Sequence, residues 1–232
     1  TVGPAIDLAE HLISIAPPAA DGSVMSKAFF CSSGSEANDT AMKMVWYYQA
    51  ARGMPEKRKI ISRRRGYHGV TMAAASMTAL AYAQNGFGLP LDFVKHTTTP
   101  DFYNEGREGE SEADFTARCA AELEALILAE GPETVAALFA EPVMGAGGVV
   151  IPPQGYFAAI REVLNKYDVL LIADEVICGF GRTGSMWGSE TMDVRPDMLT
   201  CAKALSSAYL PISAVLMSDR VYDTLASQAE AL

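Results

Sequence analysis

One lysine stands out for its surroundings. Lys203 lies between Cys201-Ala202 and Ala204-Leu205 and is the sole charge in the run from Met198 to Met217. Lysine is seldom buried unless paired or chemically employed, and desolvation lowers an amine's pKa and frees it as a nucleophile. The alternative is a packed stem whose ammonium reaches water. Asp174 and Glu175 close the apolar run Val169-Leu170-Leu171-Ile172-Ala173. A carboxylate at the edge of a dry core needs a cationic or hydrogen-bonding partner. A protonated pyridine nitrogen would serve, as would a helix cap or a structural ion pair. Ser33-Gly34-Ser35 follows another apolar run and opens a helical pattern. Its N–H groups, hydroxyls and helix dipole suit a phosphate, though Ser and Gly there also make an ordinary N-cap. The loop lacks both the Gly-Lys-Ser/Thr of a nucleotide P-loop and any GxGxxG, so a triphosphate or dinucleotide is disfavoured there. Tyr67-His68 beside a Gly turn forms either a stacking wall or a structural pair.

The elements that must position these groups alternate. Pro4 opens a helix through Leu8, Leu12 and Ile15 that ends at Pro17-Pro18. Strand patterns fall at 27–31, 59–62, 93–95, 135–140, 169–173, 198–201 and 212–217. Helical patterns fall at 36–51, after Gly69, at 114–129 and at 156–167, while 90–114 is the least regular part. The strands are continuous apolar runs separated by helices, which predicts one α/β domain with a mostly parallel sheet covered by helices on both faces. In such sheets ligands bind at the carboxyl ends of strands. Ser33–Ser35, Tyr67-His68, Glu141, Asp174-Glu175 and Lys203 all follow strand patterns, and that convergence is the strongest functional signal in the chain.

The formal net charge of −10, with the basic residues scattered apart from Arg63-Arg64-Arg65, argues against nucleic-acid binding. That triplet reads as the wet end of a strand. Cys31, Cys119, Cys178 and Cys201 are too far apart for a zinc site or disulfide frame and suggest reduced thiols in a cytoplasmic protein. His11, His68 and His96 are dispersed, so no metal is expected. No run is long and apolar enough for a membrane helix, and no signal pattern opens the chain.

Four motifs, in order, resemble the class III pyridoxal phosphate (PLP)-dependent aminotransferases, or ω-transaminases. They are Cys31-Ser32-Ser33-Gly34-Ser35-Glu36-Ala37-Asn38, Tyr67-His68-Gly69, Ile172-Ala173-Asp174-Glu175-Val176 with Gly179-Phe180-Gly181-Arg182-Thr183-Gly184, and Thr200-Cys201-Ala202-Lys203-Ala204-Leu205. The resemblance implies the large, PLP-binding domain of the fold type I transferases across residues 1–232. It implies that Ser33, Gly34 and Ser35 hold the cofactor phosphate and that Tyr67 stacks on the ring, with His68 beside it. Asp174 would pair with the ring nitrogen, Val176 would cover the opposite face with Ile177 alongside, and Glu141 would lie near the 3′ oxygen. Lys203 would form the Schiff base and shuttle the proton. The stretch from Ser206 to Ala214 looks most like the subgroup that takes an amine or ω-amino acid and pyruvate. Decarboxylases, racemases and aminomutases of the same class share this pocket. The chain covers about half the usual family length, so the resemblance also implies a partial chain, without the N-terminal entrance segment and the C-terminal small domain. Its full-length parent would be a homodimer, and a truncated chain that is inactive alone is the alternative to a working transaminase.

Overall fold

The computed structural model describes residues 2–227. Its strands are β1 (Met25–Cys31), β2 (Lys59–Arg63), β3 (Val94–Thr97), β4 (Val135–Ala140), β5 (Leu170–Asp174), β6 (Met198–Cys201) and β7 (Ser213–Ser218). They form a seven-stranded sheet in the order β1-β7-β6-β5-β4-β2-β3. Strands β3, β2, β4, β5 and β6 pair in parallel, while β7 runs antiparallel to both β6 and β1. The mostly parallel sheet is as expected, and the reversal of β7 was not legible in its composition. Every residue of β4, β5, β6 and β7 is buried, which is why those strands read as unbroken apolar runs.

The helices are α1 (Gly3–Ile15), α2 (Gly34–Ala51), α3 (Met72–Met77), α4 (Ala81–Gln84), α5 (Phe102–Glu105), α6 (Glu112–Glu130), α7 (Tyr156–Lys166), α8 (Gly188–Thr191) and α9 (Asp219–Ser227). They cover both faces. On one face, Ala41, Met42 and Val45 of α2, Met77 of α3 and Val221 of α9 pack on Ile60, Phe139, Ile172 and Val215. On the other, Phe115 and Leu123 of α6 and Ile160 of α7 pack on Ile61, Leu138 and Leu171, while Leu12 of α1 joins Leu199 and Leu216. The odd–even split of strand residues between the faces is the period-two signature of the pleat.

Two stretches differ from the sequence expectation. The segment read as irregular contains α5, and α6 begins at Glu112, two residues before the apolar period, because Ser111 and Asp114 form a reciprocal capping box. Arg63 is not a wet strand end. It is 1% exposed, and its guanidinium donates to the carbonyl of Glu141. Of the triplet, only Arg64 is exposed, and Arg65 pairs with Asp101 at 2.7 Å. No helix among the described residues is long and apolar enough to cross a membrane.

Candidate active site

A cleft of about 960 Å³ opens at the carboxyl ends of the parallel strands, lined by Ser33, Gly34, Ser35, Tyr67, His68, Glu141, Asp174, Val176, Ile177 and Lys203. All ten candidate residues therefore meet in one place. Residues 30 to 170 apart in sequence converge because β1, β2, β4, β5 and β6 all deliver their last residues to the same edge. Strand β7 starts from that edge, and its Ser213 hydroxyl donates to the Ser33 carbonyl at 2.7 Å, tying the first loop to the last strand.

Helix α2 begins in this cleft. Ser33 is its N-cap, with Oγ accepting from Glu36 N at 3.2 Å, and the Glu36 carboxylate reaches back to Ser32 N at 2.9 Å. The Gly34 and Ser35 N–H groups have no acceptor within the chain among the described residues. The helix is 18 residues long, so its dipole adds to their pull on an anion. Gly34 packs close to the neighbouring loop: a Cβ there would lie 3.0 Å from Val176 Cγ2. Ser35 Oγ accepts from Val70 N at 3.0 Å, fastening this helix start to the Tyr67-His68-Gly69 turn.

At the base of the cleft Asp174 is 2% exposed and carries three donors. Its Oδ2 accepts from Asn38 Nδ2 and meets His68 Nδ1, both at 2.8 Å, and its Oδ1 accepts from Val176 N at 3.1 Å. A carboxylate only accepts, so all three contacts are donated to it, and one acceptor position of about four stays open. Glu175, one residue on, faces away and takes the N–H groups of Gly188 and Ser189 at 3.0 and 2.6 Å. It holds the start of α8 and does not line the cleft. Burial raises its pKa, as those backbone donors oppose.

Glu141, 2% exposed, accepts from Tyr67 N at 3.1 Å and from Gly145 N at 3.0 Å, and so sets the backbone that carries the Tyr67 ring. Burial raises its pKa, with nearby Asp174 adding to the rise and the Arg63 charge opposing it. Lys203 is not buried. It stands exposed at the cleft with a left-handed backbone (φ +43), so its distinction is its position, not desolvation. Arg182 is the other cation in the lining.

Sequence reasoning gave no role to Asn38, Thr200, Thr78 or Arg63. Asn38 was detectable: it breaks the apolar stripe of Ala41, Met42 and Val45 on α2, and a polar residue on a buried stripe needs a partner. Thr78 was not, because its hydroxyl serves the N–H groups of His68 and Gly69 across a loop.

Residues 1–231 match the family described as Aminotransferase class-III. The chain belongs to that family. Members of the family are enzymes that use PLP. Among curated proteins the chain is similar to gamma aminobutyrate transaminase 1, mitochondrial, of Solanum lycopersicum, with 52% identity over 100% of this chain and 44% of that protein. It is also similar to diaminobutyrate–2-oxoglutarate transaminase of Halomonas elongata, with 50% identity over 96% of this chain and 47% of that protein. Among solved structures, the omega transaminase from Pseudomonas jessenii in complex with PMP superposes with a TM-score of 0.96 at 53% identity. That match covers 100% of this chain and 50% of the other. The class III chain described here thus spans about half the length of these relatives, and the match supports the fold type I assignment.

Proposed function

We propose that this chain carries the PLP site of a transaminase that moves an amino group from an amine or ω-amino acid to a keto acid, with Lys203 as the residue that bonds the cofactor. The observation that carries the reading is the meeting, in one cleft, of a free helix N-terminus, a buried carboxylate with an open acceptor position, and a primary amine with no partner among the described residues. These residues fit the cofactor. The N–H groups of Gly34 and Ser35 suit its phosphate, Asp174 suits its ring nitrogen, and Tyr67, Val176 and Ile177 supply walls for a flat ring.

When bound, PLP supplies an electron-withdrawing ring that stabilises negative charge at the substrate carbon. The chain's own work is to orient and to move a proton. Asp174, fixed by Asn38, His68 and Val176 N, keeps an acceptor aimed into the cleft. Glu141 holds Tyr67 and Gly145 through their N–H groups. The exposed Lys203 Nζ, at the start of a single 3-10 turn (Lys203–Leu205), is the base that takes a proton from one carbon and returns it to another.

The keto acid is pyruvate in this reading, on the likeness of the Ser206–Ala214 stretch to the ω-transaminase subgroup. The 2-oxoglutarate in the Halomonas relative's name marks the competing acceptor. Leu210 of the lining is exposed, as are Val70 and Tyr209 beside the lining residues Gly69 and Ala208, and this apolar rim supports a homodimer closing over the cleft. The test is borohydride reduction of the PLP-treated protein followed by peptide mass analysis. One pyridoxyl adduct on Lys203 is expected, and none in Lys203→Ala. An adduct elsewhere, or one that persists in the variant, sinks the assignment. Amine consumption with pyruvate against 2-oxoglutarate then decides the acceptor.

A further inference from the structure

Asp174 is held by more than its immediate neighbours. Asn38 lies fully buried between α2, the loop after β2, and strands β5 and β6. Both of its amide hydrogens are used, one on the His68 carbonyl at 2.7 Å and one on Asp174 Oδ2 at 2.8 Å. Its Oδ1 accepts from Thr200 Oγ1 at 2.8 Å. Thr200 is itself fully buried and sits directly across the ladder from Asp174 in the β5–β6 pairing. The amide therefore has one consistent orientation, because turning it over would set its oxygen against a carboxylate and a carbonyl.

The lone pairs of Asp174 can be counted. A carboxylate oxygen offers about two acceptor positions. Oδ2 spends both, on Asn38 and His68, whereas Oδ1 spends one, on Val176 N. The remaining position on the residue that lines the cleft belongs to Oδ1.

We infer that Asn38 and Thr200 are positioning residues that turn the Asp174 carboxylate so that Oδ1 meets the protonated ring nitrogen of PLP. This rests on the proposed PLP site and adds how its charge partner is aimed. Thr200 acts through Asn38, and neither touches the cofactor. Losing the Thr200 hydroxyl leaves Asn38 Oδ1 buried without a donor. The hold on the carboxylate then loosens, and PLP affinity falls by about tenfold, the order expected for one unmade buried hydrogen bond.

The test uses PLP labelled with ¹⁵N in the ring, bound to the wild-type protein and to Thr200→Val, Thr200→Ser and Asn38→Ala. The wild-type nitrogen should resonate as protonated. In Thr200→Val and Asn38→Ala it should move towards the neutral value at the same pH, and Thr200→Ser, which keeps the hydroxyl, should restore it. A role confined to folding would lower occupancy in the variants and leave the shift of the bound fraction in place, and that result overturns the inference. Thr200→Val has nearly the native shape, so it serves even where Asn38→Ala does not fold. A bound wild-type signal unchanged in all variants removes the relay and leaves the PLP site standing. No bound wild-type signal, with no Lys203 adduct, removes both.

Discussion

Gly69 is the position where one methyl group should do most harm. Its φ is +137, a region that side-chain-bearing residues avoid, and a Cβ there would lie 2.4 Å from Ser35 Oγ, 2.9 Å from Ser35 Cα and 2.9 Å from Ala74 Cβ. All three atoms belong to the first turns of α2 and α3, and Ser35 Cα and Ala74 Cβ are fixed to the backbone, so the clash cannot be relieved by swinging a flexible tip. Overpacking of this kind costs roughly 1–3 kcal/mol, and backbone strain adds roughly 1–3 kcal/mol. Gly69→Ala should therefore lose roughly 2–6 kcal/mol. At about 2–4 °C per kcal/mol for a chain of this size, the melting temperature should drop by roughly 4–24 °C. Ser35 carries one of the two free N–H groups of the proposed phosphate cradle, so PLP affinity should fall as well. Thermal melting and a PLP titration followed by absorbance read both effects. Val70→Ala is the control: that neighbour is 75% exposed and should shift melting by no more than about 1–2 °C. A Gly69→Ala protein that melts with the control and binds PLP like the wild type would refute the close-approach argument.

The thiols give a second check. Cys119, Cys178 and Cys201 are buried, and burial pushes each thiol up to about 12, whereas Cys31 is only partly buried. A thiol reagent at pH 8 should label Cys31 alone in the native protein and all four after denaturation. Rapid native labelling of the other three would contradict the packing. A third concerns acid. Hydrogen bonding to Arg118 lowers the partly buried Glu110 carboxyl from its ordinary 4.5 to about 2. A depressed carboxyl stabilises the fold above its unfolded pKa and loses that contribution as pH falls through its folded value. Glu110→Gln should therefore flatten the acid limb of stability between pH 4.5 and 2, measured by urea unfolding, and an unchanged slope would count against the pair.

Much of this architecture was legible because the central strands are buried on both faces and so advertise themselves as unbroken apolar runs. The cleft was legible because polar residues stop those runs at one edge. Three things escaped. The direction of β7 depends on the connection from Lys203 to Ser213, where length and composition permit either sense. Arg63 reads as a wet terminus because its burial arises from packing under Glu141, a residue 78 positions away. Lys203 is the third. An uncharged neighbourhood in sequence suggested a dry one in space, yet the lysine stands at the open mouth of the cleft.

The arrangement at the base of the cleft follows from strand parity. Ile60, Phe139, Leu170, Ile172 and Met198 all lie on the side of the sheet covered by α2, the helix whose N-terminus is the proposed cradle. Counting on by twos along the same pleat reaches Glu141 after Phe139, Asp174 after Ile172 and Thr200 after Met198. The polar residues of the site are thus the next members of the apolar columns that carry α2, and Asn38 is the point at which α2 meets them. Parity also separates the two adjacent carboxylates. Asp174 continues the α2 side, while Glu175 follows Ala173 towards Trp187 on the opposite face and is spent on the start of α8. The core and the site share one register, so the packing that stabilises α2 on the sheet also aims Asp174.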